Sequence, residues 1–204
     1  GLGLEEWIND IETSLPNLPV YELSENLNLI TDGGVTDPHA WLSLNNAVIM
    51  MENIKNILVE IDPDNSQYYI DNFNRYSIMF TGTSNHFNSL ISSFTNRDIV
   101  VTHRAVAYLC RDYNLTQNYI SGLSADDEPT PQKMQEIINL VNTKGITTVF
   151  YEESVSSAVA EVIARDSSNA VTTDVLYTLE SITYGEDFLS LMAKNFVAII
   201  KSLS

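Results

Sequence analysis

The sequence predicts an α/β fold: two lobes with parallel sheets covered by helices, joined by one long rigid helix. Two observations carry this. From residue 97 onward, short buried-type runs such as Ile99-Val100-Val101 alternate with helical patterns, the rhythm of a parallel sheet. Before that, one helical pattern runs from Asp64 or Ser66 to about Phe94, interrupted only by Gly82. At about 1.5 Å per residue it would reach about 45 Å, longer than a small lobe is wide. It therefore reads as a spine between lobes. The expected division is residues 1–62 as first lobe, 63–96 as connecting helix and 97–204 as second lobe.

Taken in order, Leu4, Trp7, Ile8, Ile11 and Leu15 have helical spacing, and Pro16 ends the pattern. Leu18 to Leu23 is expected to be a short strand. Thr31-Asp32-Gly33-Gly34 is a turn. A helix follows Trp41 and stops at Asp62-Pro63. In the second lobe, strands are expected at 98–102, 118–121, 146–151 and 170–173. Helices are expected at 104–113, from Thr130-Pro131 to Gly145, from Ser156 or Ser157 to Arg165, and from Phe188 to Leu203. Thr130 supplies an N-cap with proline at the first helical position, and Gly145 a C-terminal stop.

Composition narrows the function. The chain has 204 residues, 44% of them hydrophobic, enough for a real core. Lys plus Arg number 10 against 27 Asp plus Glu, a net charge of -17. Phosphates would be repelled, so a nucleic acid is excluded as a partner, and an anionic membrane surface is disfavoured. The single cysteine, Cys110, rules out a thiolate cluster within the chain and sits in an apolar helical pattern as an inert buried thiol. No apolar run is long enough to span a membrane, and no signal-peptide pattern is read.

Histidine is scarce, with 3 in the chain. His39 lies in Asp37-Pro38-His39-Ala40-Trp41, where Pro38 stiffens the backbone. His103 directly follows the Ile99–Thr102 strand. Ligands of parallel α/β sheets sit beyond the carboxyl ends of the strands. There His103 is joined by Glu152 and Glu153, after the next strand, and by Glu180, in the loop after the last. Imidazole with carboxylate and no thiolate suits Zn²⁺, and to a lesser degree Mn²⁺ or Fe²⁺. Each residue also has a plain structural reading. Asp37-Pro38 can start a helix with His39 incidental, His103 can be a capping or packing residue, and Glu152 and Glu153 can favour the dipole of the next helix. His86, among Ser and Asn residues, reads as a solvated surface histidine. The carboxylate pair Asp126-Asp127 carries no assigned role. There is no phosphate loop, dinucleotide fingerprint or Gly-x-Ser-x-Gly elbow.

At these residues the sequence resembles the metal-specific solute-binding proteins of bacterial ABC transporters, the zinc and manganese uptake group. Gly1-Leu2-Gly3-Leu4-Glu5-Glu6-Trp7 resembles the family's Gly-Leu-Gly-Leu-Glu segment, and Asp37-Pro38-His39-Ala40-Trp41-Leu42 its Asp-Pro-His-x-Trp motif. His103-Arg104-Ala105-Val106-Ala107-Tyr108, Glu128-Pro129-Thr130-Pro131, Leu179-Glu180-Ser181-Ile182-Thr183 and Tyr184 to Met192 also match family segments. The resemblance implies His39, His103 and Glu180 as metal ligands, with no catalytic residues. It implies capture of Zn²⁺, alternatively Mn²⁺, between two lobes and delivery to an ABC permease. Localisation would be extracytoplasmic, lipid-anchored or periplasmic. The family's first histidine lies upstream of the segment matched by Gly1 to Trp7, so the N-terminal lobe reads as incomplete, with a homodimer through that lobe as one consequence. The alternatives are a metal-poor surface adhesin or interaction fragment, and a zinc-dependent hydrolase using Glu152 or Glu153 as base.

Overall fold

The computed structural model describes residues 2–123, 129–182 and 184–204. Gly1, Asp126-Asp127, Glu128 and Thr183, named above, lie outside the described residues. The chain divides into two compact units, Gly1–Ser84 and Asn85–Ser204.

In the first unit, helix α1 (Ile8–Ser14) buries none of its residues. Strands β1 (Thr31–Asp32) and β2 (Val35–Thr36) form an antiparallel hairpin pairing Thr31 with Thr36. Its turn residues Gly33 and Gly34 both have positive φ, 58° and 85°, which a tight two-residue hairpin requires. A 3-10 turn (Ala40–Leu42) leads to α2 (Leu44–Ile61), whose N-cap Ser43 accepts the Asn46 N–H at 3.0 Å. Ala40, Leu42, Leu44 and Ala47 are buried along this stretch. Asp62 then accepts bonds from Asn65 Nδ2 (2.9 Å) and Tyr69 Oη (2.5 Å), closing the corner into α3 (Ser66–Ile91).

The strand expected at Leu18–Leu23 does not form. Pro19 cannot donate to a ladder, and the carbonyls of Leu23 and Glu25 are instead taken by Asn53 Nδ2 on α2, at 3.1 and 2.9 Å. Among the described residues, the only sheet of this unit is the antiparallel hairpin, so the parallel sheet expected in both lobes is found in the second.

The second unit holds a four-stranded parallel sheet in the order β4-β3-β5-β6, comprising β3 (Asp98–Val101), β4 (Thr116–Tyr119), β5 (Thr148–Glu152) and β6 (Thr172–Leu176). Helices α4 (Ala107–Asp112), α5 (Pro131–Lys144), α6 (Ala158–Asp166) and α7 (Phe188–Leu203) connect and cover it. Val100, Ile120, Ile137, Val141, Ile146, Val149, Ala160 and Ile163 pack as one core cluster. A second, aromatic cluster stacks Phe87 on Phe196 at 3.9 Å, with Tyr113 edge-on to Phe87. This ties the end of α3 to α7. Cys110 is buried, and burial pushes its thiol well above the usual range, as an inert core thiol requires.

Local signals behave as their chemistry dictates. Thr130 Oγ1 accepts the Lys133 N–H at 3.2 Å, and Gly145 closes α5 with φ 67°. Asp187 and Ser190 form a reciprocal capping box on α7. A Cβ at Gly145 would meet nothing within 4 Å, so only the left-handed backbone opposes substitution. Gly145→Ala should therefore destabilise the protein by about 1 kcal/mol, measured by urea unfolding, with the fold unchanged by circular dichroism.

Candidate metal centre

His39 and Asp37 are each only 2% exposed. One oxygen, Asp37 Oδ1, accepts both the His39 backbone N–H (2.9 Å) and a bond from the ring at Nδ1 (2.8 Å). Pro38 between them has no N–H to compete. The helix-start reading does not hold: the 3-10 turn starts at Ala40 with His39, not Asp37, at its N-cap, and Asp37 instead fixes the imidazole. Trp41 lies against that ring, centroids 5.5 Å apart.

His103 follows β3, where the Thr102 N–H still bonds to Phe150 of β5. It is buried and does not cap α4, which starts at Ala107 with Val106 as its N-cap. Its Nδ1 meets Glu152 Oε1 at 2.5 Å, and its Nε2 meets the Leu123 carbonyl at 2.8 Å. Burial works against charging this ring. The Glu152 and Leu123 hydrogen bonds and the charges of Glu152 and Glu180 outweigh it and raise the ring above its usual value.

The two adjacent glutamates split. Glu152, the last residue of β5, is buried and turns toward the end of β3. Glu153 turns the other way, and its Oε2 accepts the Thr178 N–H just past β6 at 3.0 Å. Neither side chain caps α6, where Ser156 Oγ instead accepts the Ala158 N–H. Glu180 is exposed, near enough to His103 to act on its charge. It follows Leu179, whose φ of 58° is left-handed backbone unusual for a branched residue.

So His103 comes together with Glu152 by contact and with Glu180 through electrostatics. His39 lies in the first unit with its own carboxylate. His86 is exposed on α3. Among the described residues no group of three or more His, Cys, Asp or Glu side chains is gathered in metal-binding geometry. Sequence reasoning missed Asn195. It is fully buried on α7, and its amide accepts the Tyr177 N–H (2.8 Å) and donates to the Tyr177 carbonyl (2.9 Å). The signal was a lone amide on the apolar face made by Leu191, Met192, Phe196 and Ile199.

A parallel α/β unit with a histidine and carboxylates beyond its strand ends is built to bind a ligand there. Residues 1–202 match the family described as ZnuA, zinc-uptake complex component A, periplasmic, and the chain belongs to that family. It is 33% identical over 168 residues to the zinc-binding lipoprotein AdcA of Streptococcus pneumoniae, covering 80% of this chain and 33% of that protein. It is 30% identical over 175 residues to the high-affinity zinc uptake system protein ZnuA of Bacillus subtilis, covering 82% and 53%. The chain thus spans about a third to a half of these relatives. A crystal structure of ZnuA superposes with TM-score 0.89 at 25% identity, covering 100% of this chain and 77% of that one. The laminin-binding protein Lbp of Streptococcus pyogenes gives 0.88 at 26%, covering 98% and 78%. A Mn-bound periplasmic metal binding protein from candidatus liberibacter asiaticus, a point mutant, gives 0.88 at 26%, covering 100% and 79%. The family is an extracytoplasmic transport component and not an enzyme, so the hydrolase alternative falls. No described helix is long and apolar enough to cross a membrane.

Glu152→Ala would remove the carboxylate held against the buried His103 ring. In chelator-treated protein it should cost about 2 kcal/mol, read from urea unfolding against wild type.

Proposed function

We propose that this protein captures Zn²⁺ outside the cytoplasm and passes it to an ABC permease, with His39, His103 and Glu180 as ligands. In this reading residues 1–62 and 97–204 supply the two lobes and 63–96 the helix between them. One observation carries the assignment: both histidines have Nδ1 against a buried carboxylate, Asp37 for His39 and Glu152 for His103. Metal-binding histidines characteristically hold such a partner at the nitrogen away from the metal, which fixes the ring and strengthens the other nitrogen as a donor. Nε2 is then the metal-facing atom. At His103 that nitrogen has to give up the Leu123 carbonyl and shed a proton, so capture competes with an internal hydrogen bond.

Two imidazoles with a carboxylate favour Zn²⁺ over Mn²⁺, since nitrogen donors and the general affinity order both do. Relatives named as zinc-binding or zinc-uptake proteins support zinc, while the Mn-bound neighbour keeps Mn²⁺ as the second metal. The lipoprotein name of one relative supports a lipid anchor in the whole protein. Surface adhesion is a second reading, favoured by laminin-binding structural neighbours, one of them described as a bifunctional protein with adhesin and metal transporting activity. Retention on immobilised laminin tests it.

Calorimetric titration after chelator treatment tests the main reading. Wild type should bind Zn²⁺ tightly at one site and Mn²⁺ more weakly. His39→Ala and His103→Ala should each lose most of the zinc affinity, and unchanged titrations would sink the assignment. Glu152→Ala should weaken zinc binding by about tenfold or more, the usual cost of losing such a partner.

A further inference from the structure

We propose that Glu153 and Asn195 form a clamp that positions Glu180 for the metal, an inference that rests on Glu180 being a ligand as proposed above. Glu180 is exposed, on a loop between β6 and α7. An exposed carboxylate on an untethered loop would lose much of its binding energy to ordering. The residues before it are instead held by two other elements. Asn195, fully buried on α7, takes both the N–H and the carbonyl of Tyr177. Glu153, just past β5, takes the N–H of Thr178. The next residue, Leu179, is 9% exposed and turns the chain through left-handed backbone, delivering Glu180 directly after the turn.

These bonds fall where β6 has ended, so the ladder no longer holds the chain. Asn195 does the work of a neighbouring strand for one residue, and Glu153 for the next. An apolar side chain at either position would strip these bonds from the Tyr177 and Thr178 backbone, so the two side chains fix the path of the chain into Leu179 and Glu180. Their placement makes sense as positioning of the Glu180 carboxylate. With Glu152 fixing His103, the end of β5 orients both metal-binding side chains assigned to the second unit, one through each neighbouring strand end.

The test is a mutant cycle on the full 204-residue chain, read by zinc titration and urea unfolding. Glu153→Ala should weaken zinc binding by about tenfold, whereas Glu153→Gln, whose amide oxygen still accepts the Thr178 N–H, should keep wild-type affinity. Asn195→Leu should also weaken zinc binding. If it does not fold, the two Glu153 variants carry the test alone. In a Glu180→Ala background Glu153→Ala should change zinc affinity no further, although its cost in urea unfolding stays. A merely structural role would lower affinity equally in both backgrounds, and that result, or no effect of Glu153→Ala on zinc in the wild type, overturns the clamp alone. Zinc affinity unaltered by Glu180→Ala itself overturns the ligand reading, and the clamp with it.

Discussion

A buried carboxylate pressed against an imidazole is the interaction on which the second unit's site depends. Glu152 and His103 are both almost removed from water, and neither would be tolerable there alone. Together they satisfy one another, fix the ring's orientation and keep it ready to hold a proton. The parallel sheet makes this possible, because adjacent parallel strands end side by side and bring residues 49 positions apart into hydrogen-bond range. The same logic recurs over two residues in the first unit. There Asp37 reaches His39 across a proline that removes the competing N–H.

The second unit was largely legible in the sequence because its signals are local. Thr130-Pro131 and Gly145 bound α5, and Asp187 and Ser190 start α7 where the apolar pattern begins. Strand ends moved by a few residues. The expected strand at 170–173 lies at Thr172–Leu176, because Val175 and Leu176 continue the pairing with Tyr151 and Glu152. The first unit was less legible. Leu18 to Leu23 looks extended and apolar, but a strand is a relation between two segments, and one side chain, Asn53, took the carbonyls of Leu23 and Glu25. Pattern cannot foresee that competition.

The candidate site divides along the same line. His39 and His103 stand out by residue type and loop position, whereas Glu180 is marked as a ligand only by the family resemblance. The separate parts played by the supporting residues are harder to read. Glu152 and Glu153 read as acids before a helix, and their actual roles appear only once β5 is seen between β3 and β6. Asn195 is a single amide in a helix that otherwise reads as core, and its meaning depends on Tyr177 lying opposite.

Two glutamates in a row, facing different neighbours, also make β5 a reading frame. Side chains alternate along a strand, so a slip of one residue moves both carboxylates out of their places. Glu153 would then face His103, and the Thr178 backbone would face a serine, Ser154. A single-residue insertion or deletion in β5 would scramble both supports at once and also turn core residues such as Val149 to the other face. The length of this strand is thus constrained by ion chemistry as much as by packing.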